Sequence, residues 1–407
     1  MLRLRLLFFL LVIAVLNSYA QINTFHLPEK KKREIKSFEN YDNLVIIEVL
    51  LQDSLPVKLI LDSGIEGLII TDPGLVEAFA PFCLRTFKLT APGNAISLNA
   101  CVTPAIKVDF GGLEPMFTNM ILLQEDMFSL DAFIGAKVHG LIGIDKFRNL
   151  AITINYFRNQ LKITRPEDIR INSKSEILPL NILRGRPFMT ARVELDTKEI
   201  RDLWLMIDSG ANHPLLIETD STDTYQPVYS LKTTIGRGLG GNIDGEFVRS
   251  GWLMLGNYRL DNIITSVSAE YFTGSPSLRN YRNGTLGAGA LSRFNVTFDY
   301  TNSRLILEKG PKFKRPFEYN MSGIVFESVS QNFNLFKVSE VISNSPAQEA
   351  GVLPGDLLVA INEKSAFSIT LGELNGMLNR NPGSIVNLIM NREGKPVNFK
   401  FKLKRLI

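Results

Sequence analysis

The tripeptide Asp-Ser-Gly occurs twice, as Asp62, Ser63 and Gly64 and as Asp208, Ser209 and Gly210, 146 positions apart. Each copy closes an apolar run, Leu59-Ile60-Leu61 in the first and Leu205-Met206-Ile207 in the second. A carboxylate at the end of a strand is held firmly, the hydroxyl beside it can lock the turn, and the glycine admits a backbone approach that a Cβ would block. Two carboxylates close enough to share one proton can hydrolyse a peptide bond without a metal or a covalent intermediate. One takes a proton from water while the other gives a proton to the substrate. One isolated Asp-Ser-Gly is merely a good turn, so the weight rests on the second copy standing in register.

That register belongs to a long internal repeat. Strand-like Leu44 to Leu51 and Phe188 to Leu195 precede the two turns. Downstream, Gly140-Leu141-Ile142-Gly143 and Gly284-Thr285-Leu286-Gly287 recur 144 positions apart, followed by Leu150 to Tyr156 and Asn295 to Tyr300, then by short strands Gln160 to Thr164 and Ser303 to Glu308. The repeats are rich in β-branched and aromatic runs separated by Gly, Pro, Asn and Asp, which predicts strands. The period far exceeds the roughly 20 to 50 residues of solenoid repeats. Two facing lobes follow, at residues 37–167 and 174–308, with a pseudo-twofold axis able to bring the carboxylates together.

Over roughly residues 40–308 this pattern resembles the aspartic peptidases of the pepsin and retropepsin kind, in which each lobe packs an Asp-Thr/Ser-Gly loop on an apolar-apolar-Gly segment. The resemblance implies a mainly β fold of two pseudo-symmetric, retropepsin-like barrels, a polypeptide substrate and no cofactor or metal. It makes Asp62 and Asp208 the catalytic pair, with Ser63, Gly64, Ser209 and Gly210 shaping the loops, and Ile142, Gly143, Leu286 and Gly287 packing behind them. Gly238, Gly240 and Gly241 then tip a flap hairpin, with a less clearly marked counterpart at Pro92 to Cys101. Ala211 after the second glycine fits the pattern, whereas Ile65 and Thr285 depart from it. A catalytically inactive peptide-binding protein on the same fold is the alternative, and the distance between the carboxylates separates the two.

Other motifs carry less. Gly236 to Gly241 satisfies a dinucleotide fingerprint in form, but Asn242-Ile243-Asp244-Gly245 does not open a helix. Asp109-Phe110-Gly111 lacks the phosphate and catalytic loops a kinase triplet needs and reads as a turn. Trypsin-like serine peptidases also carry Asp-Ser-Gly, with Gly on both sides; here Leu61 and Ile207 precede, Ile65 and Ala211 follow, and none of His26, His139 and His213 sits in a base motif. Two cysteines and three scattered histidines make no familiar zinc spacing.

The Lys- and Pro-rich residues 309–319 read as a flexible linker to a separate domain at 320–407. There, Phe336 to Ile342 predicts a strand, Asn344 to Asp356 a short capped helix with a glycine turn, Leu357 to Asn362 a strand, Thr370 to Leu378 a helix, and Val386 to Asn391 and Val397 to Leu403 two more strands. This order resembles a bacterial PDZ domain, which adds a peptide to its sheet and takes the peptide C-terminus on a Gly-containing loop. Gly323, Ile324, Val325 and Phe326 would form that loop and bind peptide C-termini or extended segments, with Val325 in place of the usual second glycine.

At the N-terminus, Arg3 and Arg5, an apolar run from Leu6 to Leu16 and the small residues before Gln21 predict a signal peptide over residues 1–20 and an exported, periplasmic or secreted, soluble product. No later run is long enough to insert in a membrane. Cys83 and Cys101, an even pair, allow a disulfide without demanding one. Lys30 to Arg33 reads as a solvated tail and not as a nucleic-acid patch, since no aromatics interleave. With 407 residues, 45% apolar, and a net charge of +4, the chain can fill several cores.

Overall fold

A computed structural model describes residues 23–90, 97–124, 130–219, 223, 225–268, 282–330 and 332–407. The segment 1–20 expected to be a signal peptide and most of the hairpin tip expected after Pro92 lie outside the described residues. The fold is mainly β, in several sheets.

Two sheets repeat one another strand for strand. In the first lobe, hydrogen-bonded neighbours run Arg85–Leu89, Leu98–Val102, Met120–Leu123, Leu68–Ile70, Gly140–Gly143, Leu55–Asp62 and Leu44–Leu51. In the second they run Leu231–Gly238, Gly241–Leu255, Tyr258–Ser268, Leu215–Glu218, Gly284–Gly287, Ile200–Asp208 and Arg186–Glu194. Each sheet folds back on itself. The long strand Gly241–Leu255 reaches Arg186–Glu194, and its first-lobe equivalent does so in two pieces, with Ile106–Asp109 pairing Leu44–Leu51. The break falls at Pro104, which has no N–H to give to a ladder.

A third sheet joins the lobes in the order Arg33–Ser37, Gln160–Thr164, Ala151–Asn155, Phe294–Asp299, Arg304–Lys309, Glu176–Pro179. At its centre Thr153 pairs with Thr297, its own equivalent 144 positions on, and their hydroxyls hydrogen-bond at 2.8 Å. A residue meets its repeat equivalent in this way only on a twofold axis. Lys30 to Arg33 corrects the expectation of a tail: Arg33 opens the edge strand of this sheet, and Lys31 donates to the Gly112 carbonyl at 3.0 Å.

Strand Leu44–Leu51 is almost wholly apolar because it is covered on both faces. Val45, Ile47, Val49 and Leu51 enter the main core, while Leu44 and Ile46 enter a second cluster with Ile60, Ile69, Leu141 and the helix residues Leu130 and Ile134. Cys83 and Cys101 form a disulfide with Cα atoms 5.8 Å apart. It ties the short 3-10 turn Ala80–Phe82 to the strand pair Arg85–Leu89 and Leu98–Val102.

The C-terminal sheet runs Ile324–Ser328, Phe336–Val341, Leu357–Ile361, Ile385–Arg392, Lys395–Lys402, with Ile324–Ser328 at the edge. Ser345 caps the helix Pro346–Glu349, and Thr370 with Glu373 forms a capping box on the helix Leu371–Leu378. The residues read as a flexible linker are bound down. Arg293 donates to the carbonyls of Lys312 (2.8 Å), Arg315 (2.6 Å) and Pro316 (3.1 Å) and lies over the Phe317 ring at 4.0 Å. Phe317, Ile342 and Leu406 belong to the same apolar core as the lobes. An arginine that satisfies three carbonyls leaves this segment little freedom, and composition alone does not reveal such a partner. No helix among the described residues is long and apolar enough to cross a membrane.

Candidate active site

The two Asp-Ser-Gly turns meet on the twofold axis. Ser63 donates its hydroxyl to the Ile207 carbonyl (2.7 Å) and accepts from the Ser209 N–H (2.9 Å). Ser209 does the same in return, donating to the Leu61 carbonyl (2.8 Å) and accepting from the Ser63 N–H (3.0 Å). Both serines are fully buried. A buried hydroxyl can donate once and accept, and here every hydroxyl spends both functions on the opposite loop. The lobes are thus locked together at the position where the carboxylates emerge.

Each turn is backed by the apolar-apolar-Gly strand of its own lobe. Leu141, Ile142 and Gly143 run parallel to Ile60, Leu61 and Asp62, and Thr285, Leu286 and Gly287 run parallel to Met206, Ile207 and Asp208. Thr285, the departure from the apolar pattern, is buried within its strand. The loops are further tied by Gly143 N–H to Gly67 O (2.7 Å), Gly287 N–H to Pro214 O (3.1 Å) and Ala288 N–H to Ala211 O (2.7 Å).

The Asp62 and Asp208 carboxyls face one another across the axis, each beside the glycine of the opposite turn, and each acts on the other's pKa. Each carboxylate also accepts from the glycine of its own turn, Gly64 N–H at 2.6 Å and Gly210 N–H at 2.8 Å. The two glycines are required by proximity: a Cβ on Gly64 would stand 2.5 Å from Asp208 Oδ2, and one on Gly210 would overlap the Asp62 carboxyl. Burial, followed by the neighbouring Asp208 charge, holds the Asp62 carboxyl well above the usual range. Asp208 is also raised by burial, with the Asp62 hydrogen bond, Gly210, Arg282 and Arg186 pulling it back. A proton placed on Asp62 and shared with Asp208 satisfies both shifts.

Several groups around the pair carry no motif. Arg186 opens its strand with a half-buried side chain and lowers the pKa of both carboxyls. Arg282 pairs with Glu218 and adds positive potential. Tyr156 and Tyr300, equivalents in the repeat, are buried with ionisation held back by burial, then by the Asp208 charge at Tyr156 and by Asp145 ahead of the dyad at Tyr300. The tyrosines stand out in the sequence as repeat partners, whereas no spacing points to Arg186. Loss of its charge lets both carboxyl pKa values rise. The Arg186→Met variant is therefore expected to move both limbs of a pH profile of kcat/KM to higher pH, the acid limb together with the alkaline one. An unmoved profile would show that Arg186 does not set the dyad potential.

Gly238, Gly240 and Gly241 tip the hairpin of Leu231–Gly238 and Gly241–Leu255, which places the dinucleotide-like glycines in a β-turn. The tip does not stand in solvent: Gly240 is buried, and Leu239 packs on the first lobe's cluster with Ile65. Asp109 closes its strand and accepts from Gly111 N–H at 2.6 Å, a turn as read. His213 is half-buried with its Nε2 inside, and its pKa is lowered to about 4 by desolvation and then by Arg282, while His139 accepts from Lys58 N–H at 2.9 Å.

Gly323 to Phe326 begin the edge strand of the C-terminal sheet, and the loop there is already engaged. Asn320 Oδ1 accepts from Ser322 N–H (3.1 Å) and Gly323 N–H (3.0 Å), and Ser322 Oγ accepts from Ile324 N–H (3.0 Å). Val325 pairs with Glu340 and Phe326 with Val338, the ladder shifting between them. Of the N–H groups expected to catch a peptide carboxylate, those of Gly323 and Ile324 thus have internal acceptors.

Residues 337–402 match the family model of the PDZ domain. A carboxy-terminal-processing protease of Bartonella bacilliformis is 28% identical over 144 residues, 35% of this chain and 32% of that protein. The chain thus matches over about a third of the length of this curated relative. The solved aspartic proteinase of Irpex lacteus is similar at a TM-score of 0.42 and 10% identity, over 70% of this chain and 99% of that one. On the family match, and on the strand and helix order just described, the C-terminal part of this two-lobed β protein is a PDZ domain.

Proposed function

We propose that the protein is an exported aspartic endopeptidase whose chemistry is carried by Asp62 and Asp208. The observation that carries this reading is the reciprocal bonding of Ser63 and Ser209, which sets a buried and a half-buried carboxyl face to face, each against the glycine of the opposite turn. Two carboxyls so placed can share one proton. The ionised partner draws a proton from a water held between the lobes, and the protonated partner hydrogen-bonds to the scissile carbonyl as the tetrahedral centre forms. Proton transfer to the amide nitrogen then releases the amine and carboxylic acid. Close contact between the carboxyls favours this reading over a groove that only binds peptide. The hairpin tipped by Gly238, Gly240 and Gly241 acts as flap, and the lobes 37–167 and 174–308 each supply one half of the site. Export rests on the N-terminal apolar run of the sequence.

The test is cleavage of a peptide library by residues 21–407 from about pH 3 to 8, beside an Asp62→Asn control. Cleavage by the wild type alone supports the assignment. Cleavage that persists in the control belongs to another enzyme, and a wild type silent at every pH sinks the peptidase reading.

A further inference from the structure

The helix Leu130–Ile134 stands between the PDZ domain and the glycine-tipped hairpin. On one side it lies along Ile324–Ser328, the sheet edge where a PDZ domain adds a peptide. Gly135, directly after it, abuts Leu371 in the first turn of the helix Leu371–Leu378: a Cβ on Gly135 would stand 2.7 Å from the Leu371 Cβ, and its φ of +73° disfavours any side chain. On the other side, Phe133 lies under the Arg237 guanidinium at 5.7 Å, and Leu130 and Ile134 share an apolar cluster with Leu239 of the hairpin tip. The base of the hairpin also touches the PDZ domain, Thr233 Oγ1 donating to Glu340 Oε1 at 2.5 Å.

We propose that the PDZ edge is a receptor for an internal apolar segment, filled in this chain by Leu130–Gly135, and that a competing segment of the same chemistry frees the hairpin. Two observations select an internal segment. Two of the four loop N–H groups, those of Gly323 and Ile324, already have acceptors, so a free carboxylate finds fewer donors there. The occupant itself, Leu-Asp-Ala-Phe-Ile-Gly, reaches the edge from mid-chain. While it sits in place, Leu239 and Arg237 are pinned to the first lobe. Its departure removes the surface on which the tip rests. The consequence for substrate entry rests on the peptidase reading, whereas the mechanical coupling does not.

Hydrogen exchange of the full chain separates the two. Gly135→Val places a branched side chain against Leu371, and Phe133→Ala removes the hairpin's support while leaving the Gly135 contact. In both, amide exchange in Leu231–Val248 is expected to rise about tenfold, within the usual range of coupling between sites. Only Gly135→Val is expected to expose Ile324–Ser328 as well. If hairpin exchange stays at wild-type values in both variants, the coupling is wrong. Cleavage of an extended peptide should rise with the exchange. Faster exchange without cleavage by any form would uphold the coupling and remove the peptidase reading. The vacated edge of Gly135→Val is then titrated with the peptide Leu130–Lys137, N-acetylated, once with an amide and once with a free carboxylate at its end. Dissociation constants within about twofold are expected. A tenfold preference for the free carboxylate, or no binding of either peptide, overturns the internal-segment receptor. In the wild type the tethered segment competes at an effective concentration in the millimolar range, so binding of the amide there should be weakened accordingly.

Discussion

Asp62→Asn, Asp208→Asn and the double variant are each expected to lose nearly all peptide cleavage, about 10³-fold or more in kcat, with the double variant little worse than either single. The reason lies in the shared proton. One carboxyl alone cannot both accept from water and donate to the carbonyl, so removal of either ends the same step. Asparagine keeps the local geometry: its amide oxygen can accept from Gly64 N–H as Asp62 does at 2.6 Å, and its NH₂ can donate to Asp208. A loss of activity in these variants is therefore a loss of chemistry and not of fold. If Asp62→Asn retained most of its activity while Asp208→Asn lost it, the lobes would not share one site.

The same substitution should stabilise the protein at neutral pH. Asp62 is 5% exposed, and its pKa is raised by burial and by the Asp208 charge. A carboxyl raised in the folded state contributes stability below its unfolded value and loses it as pH climbs through the folded value. Asp62→Asn removes that loss. Its melting temperature is expected to exceed wild type by about 2–4 °C near pH 7, the shift that about 1 kcal/mol produces in a unit of 150–250 residues, and the gap should close at acid pH. An unchanged gap across that range would place the stabilisation elsewhere.

How much of this was legible in the sequence depends on whether a residue's role is repeated. Asp62 and Asp208, their serines and glycines, and the strands behind them recur at 146 or 144 positions, and a duplicated motif carries its own evidence. Symmetry accounts for the Ser63 and Ser209 exchange, and for the Thr153 and Thr297 pair on the axis. What symmetry does not cover stayed hidden. Arg186 acts on both carboxyls from one lobe only. The outer strands Arg33–Ser37 and Glu176–Pro179 hold equivalent places in the joining sheet but share no motif, so Lys30 to Arg33, which lead into the first, read as a tail from the sequence alone. The helix Leu130–Ile134 is too short to announce itself by period. Its task is set by neighbours nearly 200 residues or more away along the chain, in Ile324–Ser328 and Leu371.

Residues 309–319 show the same limit, and they reverse an expectation. A Lys- and Pro-rich stretch suggests that a cut near Lys312 leaves an intact pair of lobes, yet the packing predicts the opposite. Arg293, its pKa lowered to about 10 by burial and by Arg315, would lose the carbonyls of Arg315 and Pro316 and the Phe317 ring. Phe247 would lose Tyr319, whose ring centroid lies 4.2 Å away. Arg249 would lose the Phe317 carbonyl (2.8 Å), the Ile407 oxygen (2.8 Å) and Glu318, and Phe317, Ile342 and Leu406 would leave the lobes' own core. At about 1.5–3 kcal/mol for each large apolar side chain, with the buried Arg293 and half-buried Arg249 orphaned, the total approaches the roughly 5–15 kcal/mol by which a domain is stable at all. A protein ending at Lys312 is thus expected to be insoluble, or to melt far below the full chain by circular dichroism. If it melts within a few degrees of the full chain, the contacts of Phe317, Tyr319 and Leu406 contribute little, and the PDZ domain is an appendage after all.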